Sequence, residues 1–274
     1  MRQAESVASS TVSGKPWNRE SWNDARTVSE YQVRQALTPG EMRIFGEAWP
    51  EIRGGHVLDI GVGAGRTIPY LAGAGASYSA IDYAPAMVKA ARQRFPRVDI
   101  REGDACDLAV PAEHYNFVLF SYNGIDYIHP DDRNKVLTEV FRVLRPGGLF
   151  AFSTHNKNVL PSDGITVPIQ PPAFTLNLPR YAVRAVRSVR EKMLDRRNRN
   201  RLRSHALWRD DIAFVIDGAH LSSMLTSYVK PQAQLDALRT AGFGTPLLMV
   251  DDDGRVAAVD GDAPWIYFLV RKPG

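Results

Sequence analysis

The chain has 274 residues, 44% apolar and 23% charged, which fits one large or two small folded domains and excludes a mainly disordered polypeptide. Its single cysteine, Cys106, excludes an intrachain disulfide and a cysteine-built zinc site, and the net charge of +4 comes from one segment. Between residues 180 and 203 stand ten basic side chains against only Glu191 and Asp195, so the rest of the chain is net acidic.

Taken in chain order, residues 1–18 are rich in small polar residues, without periodicity, and are expected to form a mobile tail. A first helix is expected over roughly Ser21–Ala36. A second begins with Thr38 as N-cap, Pro39 at the first helical position and Glu41 closing a capping box, and is expected to end by Pro50. Short apolar runs at His56–Ile60, Ser77–Asp82, Val98–Arg101, Tyr115–Phe120 and Leu149–Ser153 alternate with helical patterns, which predicts a parallel sheet with helices on both faces. The helix expected over Asp131–Leu144 carries acids at its start and Arg142 and Arg145 at its end, and Pro146-Gly147-Gly148 stops it.

From Asn156 to about Tyr228 the α/β rhythm is lost. A loop with Pro161, Pro168, Pro171, Pro172 and Pro179 leads into the basic helix, followed by strand-like runs at Asp211–Ile216 and Ser223–Val229. On that helix Arg180, Arg184, Arg187 and Glu191 share one face, while Ala182, Ala185, Val186, Val189 and Met193 fall on the other. A helix at Pro231–Ala241, a strand at Pro246–Val250, an Asp-Asp-Asp-Gly turn and a strand at Trp265–Val270 complete the pattern, with the last strands forming an antiparallel edge.

The run Asp59-Ile60-Gly61-Val62-Gly63-Ala64-Gly65 passes from the first strand into a helix, and acids follow the next two strands at Asp82 and Asp104. In an open α/β sheet three such strand ends contribute to one ligand site. A dinucleotide-binding fold would need its third glycine one residue later, where Arg66 stands, and would leave Asp59 and Asp104 without a role.

The acid, one apolar residue and then Gly-x-Gly-x-Gly resemble the first motif of class I S-adenosylmethionine-dependent methyltransferases, of a bacterial small-molecule type. The likeness is close over residues 40–155 and looser near the C-terminus. It implies a Rossmann-like α/β fold: a seven-stranded, mostly parallel sheet with an antiparallel last strand, helices on both faces and an inserted lid. By this resemblance Asp59, Gly61, Gly63 and Gly65 bound the methionine end of S-adenosyl-L-methionine, and of the product S-adenosyl-L-homocysteine. Asp82 accepts from the ribose hydroxyls beside Tyr83, Asp104 from the adenine amino group beside the Ala105 amide, and Met87 packs near the adenine. Ala84 departs from the pattern, standing where a hydroxyl residue often caps the helix.

The resemblance also divides the chain. Residues 19–55 become N-terminal helices covering the cofactor, with Tyr31 and Arg34 on a covering face. Residues 56–156 and 229–274 become the methyltransferase domain, and residues 157–228 a substrate lid.

The loops after the fourth and fifth strands lie beside the methyl group in this fold, which nominates Ser121, Tyr122 and the strand-ending His155, the last as a general base. Ser121-Tyr122-Asn123-Gly124 lacks the Asn/Asp-Pro-Pro-aromatic motif of enzymes that methylate nucleic-acid bases. Asp126, His155 and Asn156 have no spacing that indicates a metal site, and no metal is expected.

The expectation is therefore transfer of a methyl group to an oxygen or nitrogen of a small-molecule or glycan-type acceptor. Two alternatives remain: an RNA methyltransferase using the arginine helix, and a non-catalytic cofactor-binding or regulatory module. For the basic helix a solvated face is weighed first, then an anionic acceptor, then a membrane surface; few aromatic residues interleave the arginines, which argues against nucleic acid. Met1–Val28 holds no apolar signal-peptide core, giving the expectation of a cytoplasmic protein.

Overall fold

The computed structural model describes residues 16–34, 36–162 and 177–274. Most of the expected tail, and Pro168, Pro171 and Pro172 of the proline-rich loop, lie outside the described residues.

The expected tail is corrected at its end, because helix α1 covers Pro16–Trp22 and buries Asn18. The Asn18 amide donates to the carbonyls of Tyr127 (3.1 Å) and Leu225 (2.9 Å) and accepts from the Leu225 N–H (3.0 Å). The single helix expected over 21–36 is two. The Asp24 carboxylate accepts from the amides of Arg26 and Thr27, which ends one segment and caps α2 (Ala25–Val33). Helix α3 (Pro39–Ile52) has the expected capping box but runs through Pro50, because a proline two residues from the end forfeits only one helical bond.

Strand β1 (His56–Ile60), the short helix α4 (Ile68–Leu71), β2 (Ser77–Asp82), α5 (Pro85–Arg94), β3 (Asp99–Glu102) and β4 (Tyr115–Phe120) follow the expected alternation. Helix α6 (Arg133–Val143) starts two residues late, behind a 3₁₀ turn at Pro130–Asp132. Strand β5 (Leu144–Asn156) is longer than the expected 149–153 at both ends, with a register shift opposite Tyr115 and Phe117 where Pro146-Gly147-Gly148 bends it. Next come the basic helix α7 (Leu178–Leu202), β6 (Leu207–Trp208), β7 (Ile212–Asp217), β8 (Met224–Val229), α8 (Pro231–Thr240), β9 (Leu248–Val250) and β10 (Trp265–Arg271).

The core sheet runs β3-β2-β1-β4-β5 in parallel, then β10 antiparallel to β5 and β9 antiparallel to β10. These are the seven strands of the expected fold, but among the described residues the sheet has ten. Beyond the last β4 partner (Phe120 with Phe152) β5 continues, and β8 pairs with it in parallel at His155 and Asn156. Strands β7 and β6 follow antiparallel, so a free strand edge has recruited part of the inserted segment into the sheet.

Alternation along the strands divides the core between two faces. On β4, Val118 and Phe120 join α6 and α8 residues such as Val136, Leu137, Val140 and Leu238, while Phe117 and Leu119 join α3 residues Ile44, Phe45, Ala48 and Ile52.

A third cluster, with Trp22, Ala64, Met87 and Met224 packed by Tyr31, Tyr83 and Tyr127, joins α1 and α2 to the carboxyl end of the sheet. Its position rests partly on Asn23, whose side-chain oxygen accepts from the Ala86 N–H (2.8 Å) and so caps α5, which Ala84 leaves without a side-chain cap. Asn23→Ala is expected to cost about 1 kcal/mol, a fall in melting temperature of about 2–4 °C on a thermal scan.

Candidate active site

Three strand ends build the floor. Gly61 and Gly63 leave β1 with φ of +66° and +55°, values that favour glycine. A Cβ on Gly63 would meet only the Tyr31 ring, at 4.0 Å, so this backbone faces open space beneath Tyr31. The Gly63 N–H donates to one Asp82 oxygen (2.9 Å) and the Ala84 N–H to the other (2.9 Å), which fixes the carboxylate at the end of β2. Burial pushes the Asp82 carboxyl up to about 6, against the lowering effect of those two amides. Asp104 lies after β3, with one oxygen accepting from the Cys106 N–H (2.9 Å).

One cavity connects these groups. Its lining includes Tyr31, Gly61, Gly63, Asp82, Tyr83, Met87, Asp104, Ala105, Ser121 and Tyr122 among the residues expected from sequence. Trp22, Tyr127 and Phe214 also line it; Trp22 stands edge-on to Tyr31 (5.0 Å) and Tyr127 (4.8 Å). Tyr127 belongs to the loop expected after the fourth strand, whereas Trp22 and Phe214 were missed because α1 and β7 reach this end of the sheet only in the folded chain.

Tyr122 and Asn123, directly after β4, both adopt left-handed backbone with φ of +53° and +56°. Such strain at two consecutive residues needs surroundings that hold it. The Arg34 guanidinium donates to the Tyr122 hydroxyl (2.6 Å), Arg66 lies 4.7 Å from its ring centre, and Trp265 packs edge-on at 5.3 Å. Arg66 is itself held by both carboxylate oxygens of Glu41.

Three expected positions do not line the cavity. Gly65 turns against Phe95, whose ring would stand 2.7 Å from an added Cβ. Asp59 is fully buried beneath the loop, accepting from the hydroxyls of Thr67 and Tyr78, and burial pushes it up to about 6. His155, expected as a general base, stands behind the cavity wall. Its Nδ1 donates to Asp126 (2.7 Å), its Nε2 accepts from Asn123 Nδ2 (3.2 Å), and its ring is only 12% exposed.

Asp126 is the centre of a buried network that the sequence did not reveal. One oxygen accepts from Arg133 (2.8 Å) and Thr154 (2.5 Å), and the other from the N–H and Nδ1 of His155. Asn156 points elsewhere, to the carbonyls of Gly261 and Ala263. Among the described residues no group of three or more His, Cys, Asp or Glu side chains could hold a metal ion.

This fold and these strand-end groups are similar to those of class I S-adenosylmethionine-dependent methyltransferases. Residues 57–148, which contain the glycine loop, Asp82 and Asp104, match the family model described as a methyltransferase domain. The chain is 36% identical over 118 residues to a "Probable S-adenosylmethionine-dependent methyltransferase" of Mycolicibacterium smegmatis, covering 43% of this chain and 44% of that protein. It is 29% identical over 133 residues to a demethylmenaquinone methyltransferase of Paenarthrobacter aurescens, covering 47% and 51%. The match thus spans about half the length of these curated relatives. In fold, a crystal structure of an S-adenosylmethionine-dependent methyltransferase from Clostridium acetobutylicum superposes with a TM-score of 0.57 at 15% identity, over 86% of this chain and 92% of that one.

Proposed function

We propose that the chain transfers the methyl group of S-adenosyl-L-methionine to an oxygen or nitrogen of a small-molecule acceptor. The observation that carries this reading is the cavity reaching from Asp82 and Asp104 to Tyr122 under the aromatic roof. Asp82 fits two ribose hydroxyls, since each of its oxygens accepts a single amide and a carboxylate oxygen has room for a second donor. Asp104 and the Ala105 amide fit the adenine edge, Met87 its face, and the Gly61–Gly63 backbone the methionine end. The relative named for demethylmenaquinone supports a small acceptor.

When bound, the cofactor supplies an electrophilic methyl group on a positively charged sulfur. An acceptor oxygen or nitrogen would take up that methyl group and lose its proton to solvent, leaving S-adenosyl-L-homocysteine. The protein's part is alignment of the acceptor and exclusion of water. Trp22, Tyr31 and Tyr127 form the dry wall. Tyr122 lines the cavity with its hydroxyl held by Arg34, and it orients the acceptor. The segment 157–228 serves as lid through β7, whose Phe214 reaches the cavity.

A metabolite screen for cofactor-dependent gain of one methyl group tests this reading, with S-adenosyl-L-homocysteine formed in equal amount. No acceptor in any extract, with homocysteine-form binding intact, would favour a regulatory module. Tyr122→Phe keeps the ring contacts with Arg66 and Trp265 and removes the oriented hydroxyl. It is expected to lower turnover of the acceptor so found by about 10- to 100-fold, with cofactor affinity within about twofold of native. Unchanged turnover would remove Tyr122 from the acceptor site.

A further inference from the structure

Helix α7 packs against the protein in an inverted way. Its inward positions include Ser188, Glu191, Leu194, Asp195, Asn198 and Leu202. Three of these are tied down: Glu191 to Arg26 (3.5 Å), Asp195 to the Ser222 hydroxyl (2.6 Å), and Asn198 to the Leu221 carbonyl (2.8 Å). Besides the inward Leu194 and Leu202, apolar residues also face outward, with Val183 and Val186 70%, Val189 57% and Met193 68% exposed.

At 100° per residue, Val186, Val189 and Met193 form a stripe, which Val183 continues toward the N-terminus. Exposed Arg190 and Arg197 lie along one margin, and exposed Lys192 and Arg196 along the other. A solvated helix would turn this stripe inward and leave its polar residues outside.

We propose that this face of α7 docks on a lipid surface carrying anionic headgroups. The stripe offers aliphatic side chains at the depth of the acyl boundary, and the margins place guanidinium and ammonium groups at the height of the phosphates. The helix lies along such a surface and does not enter it end-on: no described helix is long and apolar enough to cross a membrane.

Charge complementarity selects this occupant over others. A second copy apposed by two-fold symmetry would bring the arginine margins together. Single-stranded RNA would need aromatic side chains for stacking, and the stripe is aliphatic. The same helix holds α2 through Arg26–Glu191 and the β7–β8 turn through Asn198 and Asp195, so docking would place the cavity roof beside the lipid. The inference does not depend on the methyl-transfer reading.

Co-sedimentation of the full chain with vesicles tests it. The protein is expected to pellet with phosphatidylcholine vesicles containing phosphatidylglycerol and to remain in solution with phosphatidylcholine alone. Raising the salt should release it, as screening shortens the reach of the charges. Arg190→Gln with Arg197→Gln should weaken the partition about 25-fold, roughly fivefold for each basic residue near the charged surface. Val186→Glu with Met193→Glu should abolish it while the melting temperature stays within about 2 °C of native, because both side chains are exposed. If that pair proves misfolded, the arginine pair alone decides. Equal partition into both vesicle types, or no sedimentation with either, overturns the proposal. So does full binding by either folded variant pair. A concentration-dependent dimer, or RNA binding, lost in the Val186/Met193 variant would assign the face to that partner and overturn it too.

Discussion

Asp82→Asn is expected to weaken binding of S-adenosyl-L-homocysteine by about 10- to 100-fold and to erase its dependence on pH. The fold loss follows from removing a charged acceptor from two hydroxyl contacts, about 1–3 kcal/mol together. The pH dependence follows from burial, which pushes the carboxyl from 3.8 up to about 6 in the ligand-free protein. Hydroxyl donors favour the ionised form, so binding lowers that pKa and releases a proton wherever the free carboxyl was protonated. Affinity should therefore be full above about pH 7 and fall as pH drops through 6, by at most tenfold per unit.

The stability of the ligand-free protein runs the other way. A folded-state pKa raised above its unfolded value makes a contribution that is complete below about pH 4 and is lost as pH rises through about 6. A shift from 3.8 to about 6 corresponds to roughly 3 kcal/mol for a fully buried group. Asp59, raised to the same region, adds to this trend, but it lies outside the cavity and should not influence the ligand's pH profile. Calorimetry from pH 5 to 8 separates the two effects. Flat native affinity across that range would show that the Asp82 carboxylate does not meet the ligand.

The floor of this cavity was legible because its signals are local. An apolar run ending in an acid marks a strand and its carboxyl end together, so Asp82 and Asp104 could be placed from a few neighbours each. The glycine spacing added a backbone reason for Gly61 and Gly63. The roof was not legible, because Asn18 and Leu225 are 207 positions apart and no periodicity links them. His155 was correctly placed at the end of β5, but its chemistry is set by Asp126, 29 positions earlier. Helix α7 shows a different limit: amphipathicity gives the two faces of a helix, and burial decides which one is inside. Here Asp195 and Asn198 find polar partners at the β7–β8 turn and Glu191 finds Arg26 of α2, and the valines are left outside.

Asp126→Ala should be the most damaging single change to stability, because it strips four donors of their acceptor inside the protein. Arg133, with its side chain 7% exposed, keeps only the neutral Ile125 carbonyl, Thr154 hydroxyl and Gln234 amide oxygen. Leaving such a guanidinium without its counter-charge costs about 3–5 kcal/mol, a fall in melting temperature on the order of 10 °C. The damage should also reach the cavity. Asn123 is held by its N–H to Ser153 Oγ (2.8 Å) and by its amide to His155, and His155 is held by Asp126, so the two left-handed residues lose part of their support. Asp126→Ala with Arg133→Leu distinguishes these consequences, since removing both charges should restore much of the stability without rebuilding the contact to His155. The double variant is then expected to melt close to native while turnover of an identified acceptor stays depressed. Recovery of both would make the network structural only, and a cost below about 1 kcal/mol in Asp126→Ala would show that the Asp126–Arg133 pair is hydrated in solution.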